Sequence, residues 1–358
     1  MHKTKKVLVT GSLGLIGFET TLLFLKKGFD VIGIDNDLRA KIFGIKTKYK
    51  NKLKFLKENY PKKYTHLNFD IRNNIRLSEL FKTNGKDFYS VIHTAAQTSH
   101  DWARKDPFLD FTVNANGTLN LLEAFRKYSP EAVFIFTSTN KVYGDAVNNL
   151  KLEEQKTRYD LPKMDPKYSG IDEKFSIDQS KHSLFGVSKT SADLLVQEYG
   201  RYFNLKTGVF RLGVVTGSGQ SGNLYQGFLS FFIENVLNNR PINILGYKGK
   251  QVRDIISSID VANAFYYYSQ TPLKGEVFNL GGGRKNSISL NELVEKINSI
   301  QSRKTKTIYL KDERLGDHKW WISNNSKFKV NFPSWKVTRT PDDIIQEIYN
   351  DFNESRQI

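Results

Sequence analysis

The sequence predicts an α/β protein: a doubly wound parallel sheet with a smaller mixed C-terminal lobe. Three observations predict it. Short β-branched apolar runs alternate with helix-length segments over residues 5–211, the pattern of strands joined by crossover helices. A glycine-spaced turn follows the first apolar run. After residue 212 the alternation gives way to a glycine-rich, irregular stretch.

The elements follow in order. Val7-Leu8-Val9-Thr10 is a short apolar run of the buried parallel type. Phe18 to Lys27 reads as a helix stopped by Gly28, and Asp30 to Ile34 as a second strand ending at Asp35. Phe88 to His93 and Ala132 to Thr137 are further strands, with a long helix, Pro107 to Lys127, between them. Phe185 to Phe203 is helical and Thr207 to Arg211 extended. Beyond Gly213, Gly217, Gly219, Gly222 and Gly227 come a helix, Phe228 to Asn238, and a strand, Ile242 to Leu245. We expect a first domain over 1–211 carrying a long polar insertion at 145–182, and a partly interleaved lobe over 212–358. A connection as long as 145–182 points to a functional segment.

Composition narrows the classes. The 358 residues are 39% hydrophobic and 25% charged, enough for a sizeable core and against wholesale disorder. There is no cysteine, which excludes disulfide scaffolds, cysteine nucleophiles and cysteine-held metals; no metal site is expected. Lysine and arginine number 54 against 37 acids, a formal charge of +17 that favours anionic partners. Residues 46–63 hold eight lysines interleaved with Tyr49, Phe55 and Tyr60. No nucleic-acid motif surrounds them, so the segment reads as a solvated helical hairpin and nucleic acid is not an expected partner. Lys3, Lys5 and Lys6 ahead of an apolar stretch imitate a signal peptide, but Gly11, Gly14, Gly17 and Glu19 interrupt it. No apolar run reaches the roughly 18 residues of a membrane span. The expectation is a cytoplasmic protein with no membrane partner.

Three motifs carry chemistry. In Gly11-x-x-Gly14-x-x-Gly17 the glycines permit a tight turn, close approach of a pyrophosphate, and tight helix–strand packing. The pyrophosphate would lie at the helix N-terminus, where N–H groups and the dipole favour anions. Asp35, eighteen residues past Gly17, can accept hydrogen bonds from both ribose hydroxyls and would repel a 2′-phosphate, selecting NAD over NADP. The polar run Thr137-Ser138-Thr139-Asn140-Lys141-Val142-Tyr143-Gly144 directly follows a strand, where ligands bind in such sheets. The third motif is Phe185-Gly186-Val187-Ser188-Lys189.

With these residues the chain resembles the extended short-chain dehydrogenase/reductase family, the NAD-dependent nucleotide-sugar epimerases and dehydratases with a Rossmann-type domain. The likeness spans about residues 5 to 300. It includes Thr10 to Gly17, Asp35, Asp70 with Ile71, His93-Thr94-Ala95-Ala96-Gln97, Pro107 to Thr118, and Arg253-Asp254-Ile255-Ile256. It implies a cofactor site of Gly11, Gly14, Leu15, Ile16 and Gly17, with Asp35, Asn36 and Arg39 at the adenosine end. Asp70, Ile71, Ala95, Ala96, Gln97, Asn114, Thr137 and Lys189 complete it. It implies catalytic roles for Thr139, Asn140, Lys189 and the residue at 185, and substrate contacts from Thr98, Thr139, Asn140, Lys141, Arg211, Gln226 and Arg253. Arg253 would clamp the substrate diphosphate through its guanidinium. Pairing of the helices near 107–128 and 185–203 into a homodimer or homotetramer is implied too.

Within the family, Ser138 to Asp145, Thr157-Arg158-Tyr159 and Gly249 to Asp254 resemble the branch that inverts C2 of CDP-deoxyhexoses. Related dehydratases carry an Asp-Glu pair where this chain has Asn140-Lys141, and elimination needs an acid and a base there. The implied course is loss of hydride from C2 to NAD⁺, turnover of the 2-keto sugar, and return of hydride to the opposite face. A UDP- or dTDP-sugar is the alternative substrate. Leu212-Gly213-Val214-Val215-Thr216-Gly217 departs from the family's polar run at the sugar pocket.

The largest departure is Phe185, where the family's Tyr-x-x-x-Lys motif has tyrosine. Spacing of four keeps Lys189 on the same helix face, but phenylalanine cannot accept a proton. Three accounts stay open: an engineered or impaired Tyr→Phe variant; a natural variant with another base, such as Thr139 or His182 through water; and a non-catalytic NAD and nucleotide-sugar binder.

Overall fold

Seven strands build the main sheet: β1 (Lys6–Thr10), β2 (Asp30–Ile34), β3 (Tyr64–Leu67), β4 (Phe88–His93), β5 (Val133–Thr139), β6 (Lys206–Leu212) and β7 (Glu276–Leu280). In the computed structural model, which describes residues 5–44, 47–220, 222, 227–301, 304–311 and 316–354, they lie in the order β7-β6-β5-β4-β1-β2-β3. The pairings β1–β2, β2–β3, β1–β4 and β4–β5 are all parallel. Their near-continuous apolar runs follow from burial on both faces; Val7, Leu8, Val9, Phe134, Ile135 and Phe136 are fully buried. The winding reverses between β1 and β4, which opens a crevice at their carboxyl ends.

Register positions that crevice. Thr10 stands opposite both Ile34 and His93, and His93 opposite Phe136. The next residues, Asp35, Gly11, Thr94 and Thr137, therefore form a row along one edge of the sheet. Beneath it, Leu77, Phe81, Leu121, Phe125 and Val196 from three helices pack on Leu8, Val91 and Phe134. Each such fully buried side chain contributes about 1.5–3 kcal/mol.

The chain divides into two compact units, 1–142, 184–211 and 261–278 in one, and 143–183, 212–260 and 279–358 in the other. This corrects the expected boundaries. The insertion 145–182 belongs to the second unit because it pairs there: Ile171 bridges Ser323, and Arg158 and Arg284 meet Asp160. Conversely, 261–278 returns to the first unit, where β7 closes the sheet edge. In the second unit, Val252–Ser257 runs parallel to Trp320–Trp321 and Val214–Thr216 but antiparallel to Ser287–Ser289, a mixed arrangement. Its core gathers Leu229, Phe232, Ile233, Ile255, Ile344 and Ile348.

Two local expectations change. The long helix is interrupted: Pro107–Phe111 and Gly117–Tyr128 are α-helical, but Thr112–Asn116 forms a wider π turn, a device common at functional sites. The lysine-rich segment holds one helix, Tyr49–Asn59, rather than a hairpin; Leu56 turns inward while Lys50, Lys54 and Lys57 face solvent. Among the described residues no helix is long and apolar enough to cross a membrane.

Candidate active site

The glycine turn is built as its spacing requires. Gly11 has φ +67° and donates its N–H to the Ile34 carbonyl at 2.7 Å; Gly14 N–H closes the turn on the Gly11 carbonyl at 2.9 Å. A Cβ at Gly11 would lie 2.8 Å from the Ala95 nitrogen, and one at Gly17 would overlap the Gly11 carbonyl. The helix Leu15–Lys26 starts from Gly14 with no side-chain cap. Its first-turn N–H groups at Leu15, Ile16 and Gly17 thus face the turn, a cradle suited to a pyrophosphate. These residues fit a dinucleotide.

Asp35 sits at the end of β2. Its carboxylate accepts hydrogen bonds from the backbone of Leu13 and Asp37, each at 2.9 Å, and burial raises it above the ordinary carboxylate range. Asn36 donates to Asp70 at 3.3 Å, and Arg72 grips both Asp70 oxygens at 2.9 Å. Burial would raise the Asp70 carboxyl, but Arg72 outweighs it and holds Asp70 below the usual range. Burial likewise draws down the Arg39 guanidinium. Ile71 packs where a Cβ at Gly117 would stand, 2.7 Å from its Cδ1.

Next along the row, Thr94 Oγ1 donates to the Thr10 carbonyl at 2.7 Å and the Ala95 N–H to Thr10 Oγ1 at 3.3 Å. His93 is held between the hydroxyls of Thr10 and Thr118, at 2.7 and 3.0 Å; burial drives its pKa well below the ordinary value, so it is neutral. Ala96 is half-buried, and Thr98 is exposed. Asn114, in the π turn, pairs reciprocally with the Gln97 backbone: Gln97 N–H to Asn114 Oδ1 at 3.0 Å, Asn114 Nδ2 to Gln97 O at 2.9 Å. Asp110 accepts from Gln97 Nε2 at 2.6 Å and from Asn114 Nδ2 at 3.2 Å.

At the end of β5, Thr139 is half-buried; its hydroxyl donates to Asn140 Oδ1 at 3.4 Å and accepts from the Lys141 N–H at 3.3 Å. Lys189, 3% exposed, donates Nζ to the Thr137 carbonyl at 2.7 Å and lies 4.1 Å over the Phe136 ring. Burial pulls its amine from 10.5 to about 7. One turn earlier Phe185 is also buried. Its ring meets His100 with centres 5.0 Å apart.

Three substrate candidates remain: Arg211, Arg253 and Gln226. Arg211 is buried and forks onto Asp193, Nε to Oδ2 at 3.0 Å and a terminal nitrogen to Oδ1 at 2.9 Å; Ser138 Oγ donates to the same carboxylate at 2.5 Å. The guanidinium balances an interior charge. Arg253 belongs to the second unit, where it is buried and bound to Asp317 at 2.6 Å. Gln226 lies outside the described residues. Sequence reasoning missed Asp110 and Asp193. Both had a signal in their spacing of four from Asn114 and Lys189. Among the described residues no cluster of three His, Asp or Glu could hold a metal.

Comparison with known proteins agrees with this construction. The model of the NAD dependent epimerase/dehydratase family matches residues 7–281. CDP-paratose 2-epimerase of Salmonella typhi is 32% identical over 355 residues, 96% of this chain and 98% of that protein. A putative UDP-glucose 4-epimerase of Methanocaldococcus jannaschii is 30% identical over 289 residues, 81% of this chain and 80% of its own. Among solved structures, a tyrosine-to-phenylalanine mutant of UDP-glucuronic acid 4-epimerase from Bacillus cereus, in complex with UDP-4-deoxy-4-fluoro-glucuronic acid and NAD, superposes with TM-score 0.76 at 23% identity, over 98% of this chain and 99% of that one. Matched from β1 through β7 and built around a dinucleotide cradle, the chain belongs to the NAD-dependent epimerase/dehydratase family, with NAD as its cofactor.

Proposed function

We propose that the chain inverts C2 of a CDP-deoxyhexose, interconverting CDP-paratose and CDP-tyvelose. The observation that carries this reading is the pair Asn140-Lys141 after Thr139, where elimination would need an acid and a base. The identity with CDP-paratose 2-epimerase along almost the whole chain supports it. NAD, when bound, accepts hydride from the sugar and returns it. The protein's share is positional. The glycine turn and first helical turn take the pyrophosphate, Asp35 the ribose hydroxyls of the adenosine half, and Lys189 those of the nicotinamide half. Thr139 orients the reacting sugar hydroxyl, with Asn140, Lys141 and Thr98 beside it.

A homodimer belongs to the proposal. Phe108, Phe111 and Leu119 on the helices of 107–128, and Leu184, Val187 and Leu194 on Leu184–Tyr202, expose their side chains to solvent; apolar faces of this kind favour burial against a second copy.

The test uses a CDP-sugar deuterated at C2. The expected outcome is a product inverted at C2 that keeps the label, formed more slowly than from the unlabelled sugar. Conversion of UDP- or dTDP-sugars alone would move the assignment to them. Phe185 favours a second reading, a nucleotide-sugar binder that retains NAD; binding without conversion across the panel would select it.

A further inference from the structure

We propose that Asp110 is a positioning residue of the cofactor site: its buried carboxylate orients Gln97 and Asn114 and is the counter-charge to Lys189. The inference deepens the proposed reading and rests on the part of it that puts Lys189 on the ribose of the nicotinamide half.

The first task is geometric. Asp110 is 1% exposed and lies on the short helix ahead of the π turn. One of its oxygens, Oδ1, accepts from Gln97 Nε2 at 2.6 Å and from Asn114 Nδ2 at 3.2 Å. An ionised carboxylate only accepts, so both amides turn their NH₂ groups toward it. That orientation sets the rest of each amide. Gln97 Nε2 also donates to the Ser99 carbonyl at 2.9 Å, and Gln97 Oε1 takes the Ser99 N–H at 2.5 Å. Asn114 keeps Oδ1 toward the Gln97 N–H, and its Nδ2 reaches Ser188 Oγ at 3.0 Å. One oxygen atom therefore holds the segment that leads away from Ala95. This segment abuts the glycine turn, because the Ala95 nitrogen stands 2.8 Å from where a Cβ at Gly11 would be.

The second task is electrostatic. Lys189 is a buried cation on which two carboxylates act, Asp193 and Asp110. Asp193 is committed to another cation: Arg211 forks onto it at 3.0 and 2.9 Å, and Ser138 and Gln197 donate to it as well. Asp110 is held by neutral amides, so its charge is left to balance Lys189. The other titratable groups near the lysine supply no negative charge. His93, on β4, is buried and neutral. His100 meets Phe185 one turn before the lysine, and an imidazole can add only positive charge. With Lys189 and Arg211 positive and Asp110 and Asp193 negative, the interior sums to zero, the condition under which buried charges are tolerated. Burial raises the Asp110 carboxyl, while hydrogen bonding and the Lys189 charge draw it back. Burial pulls Lys189 down to about 7, and Asp193 and Asp110 oppose that fall.

The experiment titrates NAD calorimetrically into the full chain on both sides of neutrality, with wild type, D110N, D110L and K189Q. In wild type, affinity should fall as pH rises through the Lys189 pKa, because the ammonium that grips the ribose is lost. D110N keeps an oxygen for both amides and removes the charge, so the fall should move to lower pH by about one unit, the effect of losing a neighbouring opposite charge. D110L removes the acceptor as well and should weaken NAD at least about tenfold at every pH, since two stranded amide donors are relieved only by moving Gln97 and Asn114. K189Q should bind weakly with no such pH dependence. An unmoved midpoint in D110N, a wild-type profile flat with pH, or a D110L that binds as tightly as wild type overturns the role of Asp110; weak binding by K189Q then leaves the place of Lys189 intact. Should D110L fail to fold, the D110N midpoint alone decides. A K189Q that binds NAD as wild type does overturns the placement of Lys189 on the ribose and the counter-charge with it.

Discussion

Lys189 and Thr137 are joined across the edge of the sheet: the lysine ammonium donates to the threonine carbonyl at 2.7 Å. The bond fixes the lysine at the end of β5, in the row begun by Asp35 and Gly11. It also keeps a cation in a buried setting, with consequences for stability.

Because burial lowers the Lys189 pKa from 10.5 to about 7, the unfolded chain binds more protons than the folded one between those values. Stability therefore rises with pH through that window, and the penalty is greatest below pH 7. Lys189→Met should flatten this dependence in urea unfolding measured from pH 6 to about 10, and should weaken NAD binding in parallel titrations.

The Arg211–Asp193 pair is buried on both sides. Arg211→Leu or Asp193→Leu strands the remaining charge and should cost about 3–5 kcal/mol. The double replacement should cost less than the sum, and chemical denaturation of all three variants measures the coupling.

Gly17→Ala drives a methyl group into the Gly11 carbonyl. The expected result is loss of NAD binding by at least about tenfold with modest loss of stability, read by calorimetry and thermal unfolding. Gly28→Ala is the control: no atom lies within 4 Å of its added Cβ, so NAD binding is kept and only the strain of φ +92° is felt.

Asp35 should decide cofactor choice. Asp35→Ser removes the charge that repels a 2′-phosphate, and the ratio of NADP to NAD affinity should rise by about tenfold or more, equivalent to about 1.4 kcal/mol. An unchanged ratio would remove Asp35 from the adenosine site.

Much of this arrangement is legible in residue order. The strands Asp30–Ile34, Phe88–His93 and Ile242–Leu245 are seen where apolar β-branched runs end in turn residues, because local pattern and burial agree there. The glycine spacing and Asp35 are legible for the same reason: one short loop and one strand end contain the whole geometry. The π turn at Thr112–Asn116 was not, since its wider winding answers to Gln97 and Ser188, distant in sequence. Nor was the allegiance of 145–182, which depends on partners such as Ser323 and Arg284 more than a hundred residues away.

The shared register of β1, β2, β4 and β5 imposes a rule on how this protein can change. A substitution alters one side chain, but a one-residue insertion or deletion within any of these strands would reverse its inward and outward faces and slide Asp35, Gly11, Thr94 or Thr137 out of alignment. Length is thus frozen inside the strands, and new specificities must be written at their carboxyl ends and in the segments that follow them.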